Sequence, residues 1–212
     1  MEKATRDYFD KRGAVLVKNL QKNHFEAYYC ATKAEALQQV LSLMPEGSTV
    51  GWGGEISAAQ VGVQEAVHAG NYTVIDRDRF SDPAEKLRCM RECFNADFFI
   101  TGANALSLDG QMVNIDGNGN RVGMIVYGPK NIIVVAGMNK VCATLEDAVK
   151  RARTVAAPMN QQRFGLPNPC TVTGSCADCH CESSICNQLL ITRNSKPAGR
   201  IKVVLVGEEL GF

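Results

Sequence analysis

The chain has 212 residues, with 23 lysines and arginines against 22 aspartates and glutamates, 45% hydrophobic residues and 19 glycines. That length buries a full core in one domain with at most a small appendage, and the even charge, without a basic block, gives no electrostatic case for nucleic acid or an anionic membrane surface. Met1 to Lys22 is charged throughout and lacks the apolar core of a leader, and no stretch is long enough to span a bilayer, so a cytoplasmic location and a small-molecule or protein partner are expected.

Thr5 to Asn23 reads as an amphipathic helix and Tyr28 to Thr32 as a short extended piece. A helix follows over Lys33 to Leu43, with Ala34, Leu37, Val40 and Leu41 on one side, ended by Pro45 and Gly47. Ser48 to Trp52 reads as a strand running into Gly51, Gly53 and Gly54, Ile56 to Ala69 as a helix, and Tyr72 to Asp76 as extended. Strand, glycine turn, helix, strand implies a βαβ unit and a parallel sheet. A helix over Pro83 to Asn95, a strand at Asp97 to Thr101 and a loop at Gly102-Ala103-Asn104-Ala105 come next. Gln111 to Ile115 and Val122 to Tyr127 flank the turn-forming residues Asp116 to Asn120, which predicts an antiparallel hairpin. A buried strand at Asn131 to Ala136 leads into Gly137-Met138-Asn139-Lys140, then a helix from Leu145 to about Val155 that Pro158 stops, and a last strand at Ile201 to Val206. The expected fold class is α/β: one domain over residues 1–212, a mixed, mostly parallel sheet with helices on both faces, and a cysteine-rich excursion at 167–190.

Five of the nine cysteines fall within seventeen residues, at Cys170, Cys176, Cys179, Cys181 and Cys186. With Cys170, Cys176, Cys179 and Cys186 as ligands the spacing is C-x5-C-x2-C-x6-C, and Pro167, Pro169, Gly174 and Asp178 let such a loop fold several sulfurs around one centre. Thiolates are soft ligands, so the candidates are a tetrahedral zinc or an iron–sulfur cluster, of the 4Fe–4S type. The spacing matches neither a zinc ribbon nor the bacterial ferredoxin run, so it identifies the ligand class and leaves the metal open. A reducing compartment disfavours disulfides; redox-active or inert thiols are the remaining alternatives. His180, between two of these cysteines, is an alternative ligand. Cys89 and Cys93, on a helical face near Leu87 and Met90, read as small hydrophobes.

In open α/β sheets ligands collect beyond the carboxyl ends of the parallel strands. Four glycine loops are expected to meet there: Gly51-Trp52-Gly53-Gly54-Glu55, Gly102-Ala103-Asn104-Ala105, Gly137-Met138-Asn139-Lys140 and Gly207-Glu208-Glu209. Asn120, Arg121 and Lys130 are further candidates for anion contact, and Trp52 either stacks on a ligand or packs in the core. Ser57 stands where a dinucleotide fingerprint would have its third glycine, and no P-loop lysine follows, so neither NAD nor ATP is inferred.

At Gly102-Ala103-Asn104-Ala105, Val113 to Arg121, Gly128-Pro129-Lys130 and Gly137-Met138-Asn139-Lys140 the chain resembles the lactate-utilization (LUD-domain) family. The likeness continues through Arg151-Ala152-Arg153, Ala156-Ala157-Pro158, Pro169-Cys170, Thr173 to Cys179, Ile185-Cys186-Asn187 and Val206 to Phe212. The resemblance implies a fold like that of ribose-5-phosphate isomerase, glucosamine-6-phosphate deaminase and coenzyme A transferases. It also implies association with bacterial oxidation of L-lactate to pyruvate beside iron–sulfur subunits, and it carries no catalytic residue set. The cysteine loop marks a subgroup of short members, and Glu55 stands where a small hydroxyl residue is expected. Two functions follow as expectations. One is a redox or accessory subunit for oxidation of L-lactate or a related acid, its carboxylate held by loop amides and Lys140, with Glu55 or Glu208 as proton acceptor and an iron–sulfur protein as partner. The other is a ligand-binding or regulatory protein with a structural zinc, sensing a phosphorylated or coenzyme A-linked metabolite. A coenzyme A-transferase-like or isomerase-like enzyme rests on fold analogy alone, and a homodimer is left open.

Overall fold

The computed structural model describes residues 2–212. Its strands and α-helices run, in chain order, α1 (Lys3–Lys22), β1 (Glu26–Cys30), α2 (Lys33–Ser42), β2 (Thr49–Trp52), α3 (Ile56–Val61), α4 (Val63–Ala69), β3 (Thr73–Ile75), α5 (Pro83–Glu92), β4 (Phe98–Thr101), β5 (Ala105–Ser107) and β6 (Gln111–Asp116). They continue with α6 (Asn120–Tyr127), β7 (Asn131–Gly137), β8 (Val141–Cys142), α7 (Leu145–Arg151), α8 (Ala157–Gln162), α9 (Pro169–Thr173), β9 (Gln188–Thr192) and β10 (Ile201–Val206). The main sheet has six parallel strands in the order β1-β10-β7-β4-β2-β3.

Burial on both faces explains why its central strands read as continuous apolar runs. In β7, Ile132, Val134 and Ala136 pack with Leu16 and Leu20 of α1 and with Met124 and Ile125 of α6. Ile133 and Val135 point the other way, into a layer with Val40 of α2, Ala58 and Val61 of α3 and Val67 of α4. The expected α/β class, mostly parallel with helices on both faces, is what forms.

A second sheet, in the order β8-β5-β6-β9, covers a smaller core in which Ala105, Val113 and Ile115 meet Ala148, Ala152 and Ala157. Here the expected hairpin is corrected. Val122 to Tyr127 is the helix α6, and the antiparallel partners of β6 are β5 and β9. Asp116 decides this: Oδ1 accepts the N–H groups of Asn118 and Gly119, and Oδ2 those of Arg121 and Val122. A carboxylate that satisfies the free amides of a first turn starts a helix where the turn residues alone would suit a hairpin.

Pro158 does not stop the chain's helical run either. A π-helical turn over Ala152–Ala156 joins α7 to α8, and Pro158 sits in the first turn of α8, where its missing N–H is tolerated. Gly62, at φ 87°, breaks the single helix expected over Ile56 to Ala69 into α3 and α4.

Candidate functional site

Because β7, β4 and β2 are neighbours, the loops at their carboxyl ends converge. Glu55, at the end of the β2 loop, is the N-cap of α3, and its Oε1 accepts the N–H of Ser57 at 2.7 Å and of Ala58 at 3.4 Å. The amides expected to greet an anion at this helix start are thus occupied by the protein's own carboxylate. Gly102, after β4, leaves room for that carboxylate: a Cβ there would collide with Glu55 Oε2. Lys140, after β7, is 4% exposed and donates from Nζ to Ser57 Oγ at 2.9 Å. Burial pulls its pKa down to about 8, partly opposed by the charge of Glu55 and assisted by Arg151 and Arg121. A lysine so placed holds an appreciable neutral fraction near pH 8 and can accept a proton. Ser57 itself is fully buried beneath Gly211.

Glu55 and Lys140 line a recess of about 40 Å3 together with Asn104, Arg121 and Arg163. It adjoins a chamber of about 230 Å3, lined by Arg77, Asp116, Asn118, Asn120, Arg121 and Arg163; Gly54, Arg121, Asn160 and Arg163 belong to both. Arg121 donates from Nη2 to Asn104 Oδ1 at 2.8 Å and to the Ile115 carbonyl, with Nε 3.8 Å from Asp116 Oδ2. Arg151 secures the Asn104 loop from below, donating to the carbonyls of Asn104 at 2.6 Å and Asn139 at 3.1 Å. Asn139 in turn holds the last residues in place, donating to the Leu210 carbonyl and accepting from its N–H. Gly137 is needed for this crossing, since a Cβ there would come within 2.5 Å of the Leu210 nitrogen.

Other sequence candidates go elsewhere. β10 lies on the far side of β7 from β4, and Glu208 accepts from the Lys33 N–H at 2.9 Å and pairs with Lys33 Nζ at 3.6 Å, away from the recess. Lys130 precedes β7, at the amino ends of the strands, and is exposed. Gly51 makes room for Cys93, whose Sγ would lie 2.6 Å from an added Cβ, and Gly53 faces Phe99. Trp52 packs in the core, edge-on to His68. Arg77, Asn160 and Arg163, which sequence patterns did not single out, take part instead; the latter two lie beyond Pro158, where a helix was expected to end.

The cysteine segment encloses a second cavity, of about 370 Å3, whose walls include Cys170, Cys176, Cys179 and Cys186, with His180, Asp178 and Arg153. Burial raises the Cys186 thiol pKa, and Cys176, Cys170 and Cys179 raise it further as near neighbours. The loop is held by side-chain hydrogen bonds: Asn168 Nδ2 donates to the Ser183 carbonyl at 3.1 Å, Ser183 Oγ donates to Asn168 Oδ1 at 2.5 Å, and Gln162 Nε2 donates to the Cys170 carbonyl at 3.1 Å. Asn187 Nδ2 donates to the Gly117 carbonyl at 3.0 Å, and a Cβ on Gly117 would lie 3.0 Å from Ile185 Cα.

The two cavities stand back to back. Ile115 and Ile185 line both, and α8 divides them, presenting Asn160 to the polar chamber and Ala157, Pro158 and Gln161 to the cysteines. Among the described residues no three His, Cys, Asp or Glu side chains converge on a point that would hold a single metal ion.

The LUD domain family matches residues 13–206. The chain belongs to that family. A DUF162 family protein from Deinococcus radiodurans shares the fold, with a TM-score of 0.53 at 14% identity over 95% of this chain and 97% of that one. The LUD chain is also similar, at a TM-score of 0.37, to translation initiation factor eIF-2B from Pyrococcus horikoshii OT3, at 20% identity over 54% of this chain and 49% of the other. A D-ribose-5-phosphate isomerase in complex with phospho-erythronic acid gives a TM-score of 0.37 at 12% identity, over 53% of this chain and 54% of the isomerase. No curated protein matches the sequence. Among the described residues no helix is long and apolar enough to cross a membrane.

Proposed function

We propose that this LUD-domain protein is an iron–sulfur subunit in the oxidation of L-lactate or a related small organic acid, holding a 4Fe–4S cluster through Cys170, Cys176, Cys179 and Cys186. The observation that carries this reading is the shared wall: the four-cysteine cavity and the polar cleft are separated by Ile115 and Ile185. A cluster held by these cysteines would supply one-electron transfer. Arg153, which lines the cavity and hydrogen-bonds to Asp178, offsets the negative charge of four thiolates. Asn168 and Ser183 keep the loop closed. On the other side of the wall, Arg121 binds the acid's carboxylate, and the neutral fraction of Lys140 accepts the hydroxyl proton. Oxidation of a hydroxy acid to a keto acid releases two electrons and two protons; with the hydroxyl proton on Lys140, a hydride-accepting partner subunit must take the α-hydrogen with both electrons, and a cluster would pass those electrons on singly. A cytoplasmic setting suits a loop of reduced thiols.

Anaerobic purification followed by assay of iron, acid-labile sulfide and zinc, with the visible spectrum, tests this directly. Iron and sulfide in near-equal amounts with a brown chromophore are expected, and Cys176→Ser removes both while the domain keeps its circular dichroism. Stoichiometric zinc without colour would replace the redox reading with a structural staple, and the polar cleft alone would then carry the function.

A further inference from the structure

The geometry points to a phosphomonoester of a small hydroxy acid as the ligand of the polar cleft, with its phosphate between Arg77, Arg121 and Arg163 and its carboxyl end in the Lys140 recess. This rests on the proposal that the cleft takes an organic acid and specifies which. A monocarboxylate the size of lactate fills the inner recess of about 40 Å3 with its carboxylate and leaves only a few atoms beyond it. It leaves unexplained the chamber of about 230 Å3 outside it and the three arginines on its walls.

Those arginines are short of partners. Arg77 is half-buried; its only carboxylate within ion-pair range, among the described residues, is that of exposed Asp78, at 3.7 Å, and Nη1 meets nothing better than the sulfur of Met90 at 3.8 Å. Arg163 donates to Asn160 Oδ1 at 3.0 Å and, among the described residues, has no carboxylate in range. Arg121 is satisfied only through Nη2 and stands beside Asp116. Among the described residues Asp116 is the one acid lining the chamber, and each of its oxygens already accepts two backbone N–H groups. Among the lining residues three guanidinium groups face one carboxylate, an excess of positive charge that exposed Asp78 beside Arg77 offsets only in part. A monocarboxylate supplies one negative charge, whereas a phosphomonoester supplies about 1.5–2 at pH 7 with oxygens that match guanidinium forks. Around that centre the amides of Asn118, Asn120 and Asn160 can donate to and accept from hydroxyl groups. In the recess the charges of Glu55 and Lys140 balance, so the inner end adds orientation and the outer end adds the anion preference.

Calorimetric titration of the purified protein with 3-phosphoglycerate, glycerate and malate at fixed ionic strength tests the assignment. The expected result is 3-phosphoglycerate binding at least about tenfold tighter than glycerate or malate, each charge-assisted contact contributing on the order of tenfold. In Arg77→Gln/Arg163→Gln, both of whose side chains reach the surface and leave the core intact, that preference falls to near unity. Lys130→Gln, at the opposite end of the sheet, keeps it. Equal binding of glycerate and 3-phosphoglycerate, or a preference that survives the double substitution, overturns the phosphate assignment while leaving the organic-acid reading standing. Malate binding as tightly as 3-phosphoglycerate replaces the phosphoester with a dicarboxylate. Failure of all three to bind removes both the assignment and the acid cleft, and the iron and sulfide assay still tests the cysteine cavity separately.

Discussion

Replacing Lys140 by methionine should change the pH dependence of stability in a defined way. The folded protein holds this lysine at about 8 against an ordinary value of 10.5, because its ammonium is buried and flanked by Arg151 and Arg121, with Glu55 as partial compensation. Below pH 8 the folded and unfolded states both carry the proton, and the full penalty of burying the charge applies. Between 8 and 10.5 the unfolded chain keeps a proton that the folded protein has released, so this residue makes stability rise with pH, by up to about 1.4 kcal/mol per unit. The total over the window is roughly 3 kcal/mol. Cys30 and Cys93, pushed up by burial to about 11 and about 12, act in the opposite sense, since folding favours their protonated forms and stability falls as pH rises past the ordinary thiol range. Both cysteines are present in either protein, so they cancel in the difference. Urea unfolding followed by circular dichroism, with reductant and at constant ionic strength from pH 7 to 10.5, gives that difference. Wild type should gain roughly 3 kcal/mol relative to Lys140→Met across the series, which for a protein of this size is a relative Tm shift of about 2–4 °C per kcal/mol. A difference that stays constant with pH would refute the reading of Lys140 as a desolvated lysine.

Asp116→Ala removes the acceptor of four backbone N–H groups and the carboxylate beside Arg121, and a loss of about 2–4 kcal/mol is expected in the same unfolding assay; wild-type stability would mean that water caps α6 equally well. Gly102→Ala drives a Cβ into Glu55 Oε2 and forces the cap off α3, costing about 1–3 kcal/mol, whereas a neutral effect would show that Glu55 moves freely. Gly117→Ala pushes against Ile185, so hydrogen exchange should speed up across the cysteine loop while global stability changes little; unchanged exchange would place the loop's anchorage elsewhere. Asn139→Ala loses both hydrogen bonds to Leu210, and faster exchange at Leu210 and Gly211 is the expected signature.

Periodicity and turn chemistry made most of the main sheet legible. Apolar runs such as Ile132 to Ala136 leave little choice but a strand buried on both faces, and glycine after each strand marked where the loops turn. The clustering of Cys170, Cys176, Cys179 and Cys186 likewise announced a common cavity, because four soft side chains in seventeen residues can reach one another within the loop itself. Short apolar runs carry less information. Val122 to Tyr127 suits a strand or a helix, and only the Asp116 carboxylate, by occupying the first-turn amides, selects the helix. Pro158 was a stop signal by local rules and became part of a continuing helix, because a π turn absorbs its missing donor; Asn160 and Arg163 entered the cleft on that account.

What the sequence determines by itself is therefore the class of fold, the location of the glycine loops and the clustering of the cysteines, since these depend on local spacing. Which side chains share a site depends on strand order and burial, both long-range. Placing β7 between β10 and β4 brings Lys140 to Glu55 and sends Glu208 to Lys33; α8 sets the cysteines against the arginine cleft; and desolvation, which no linear spacing encodes, gives Lys140 its altered acidity.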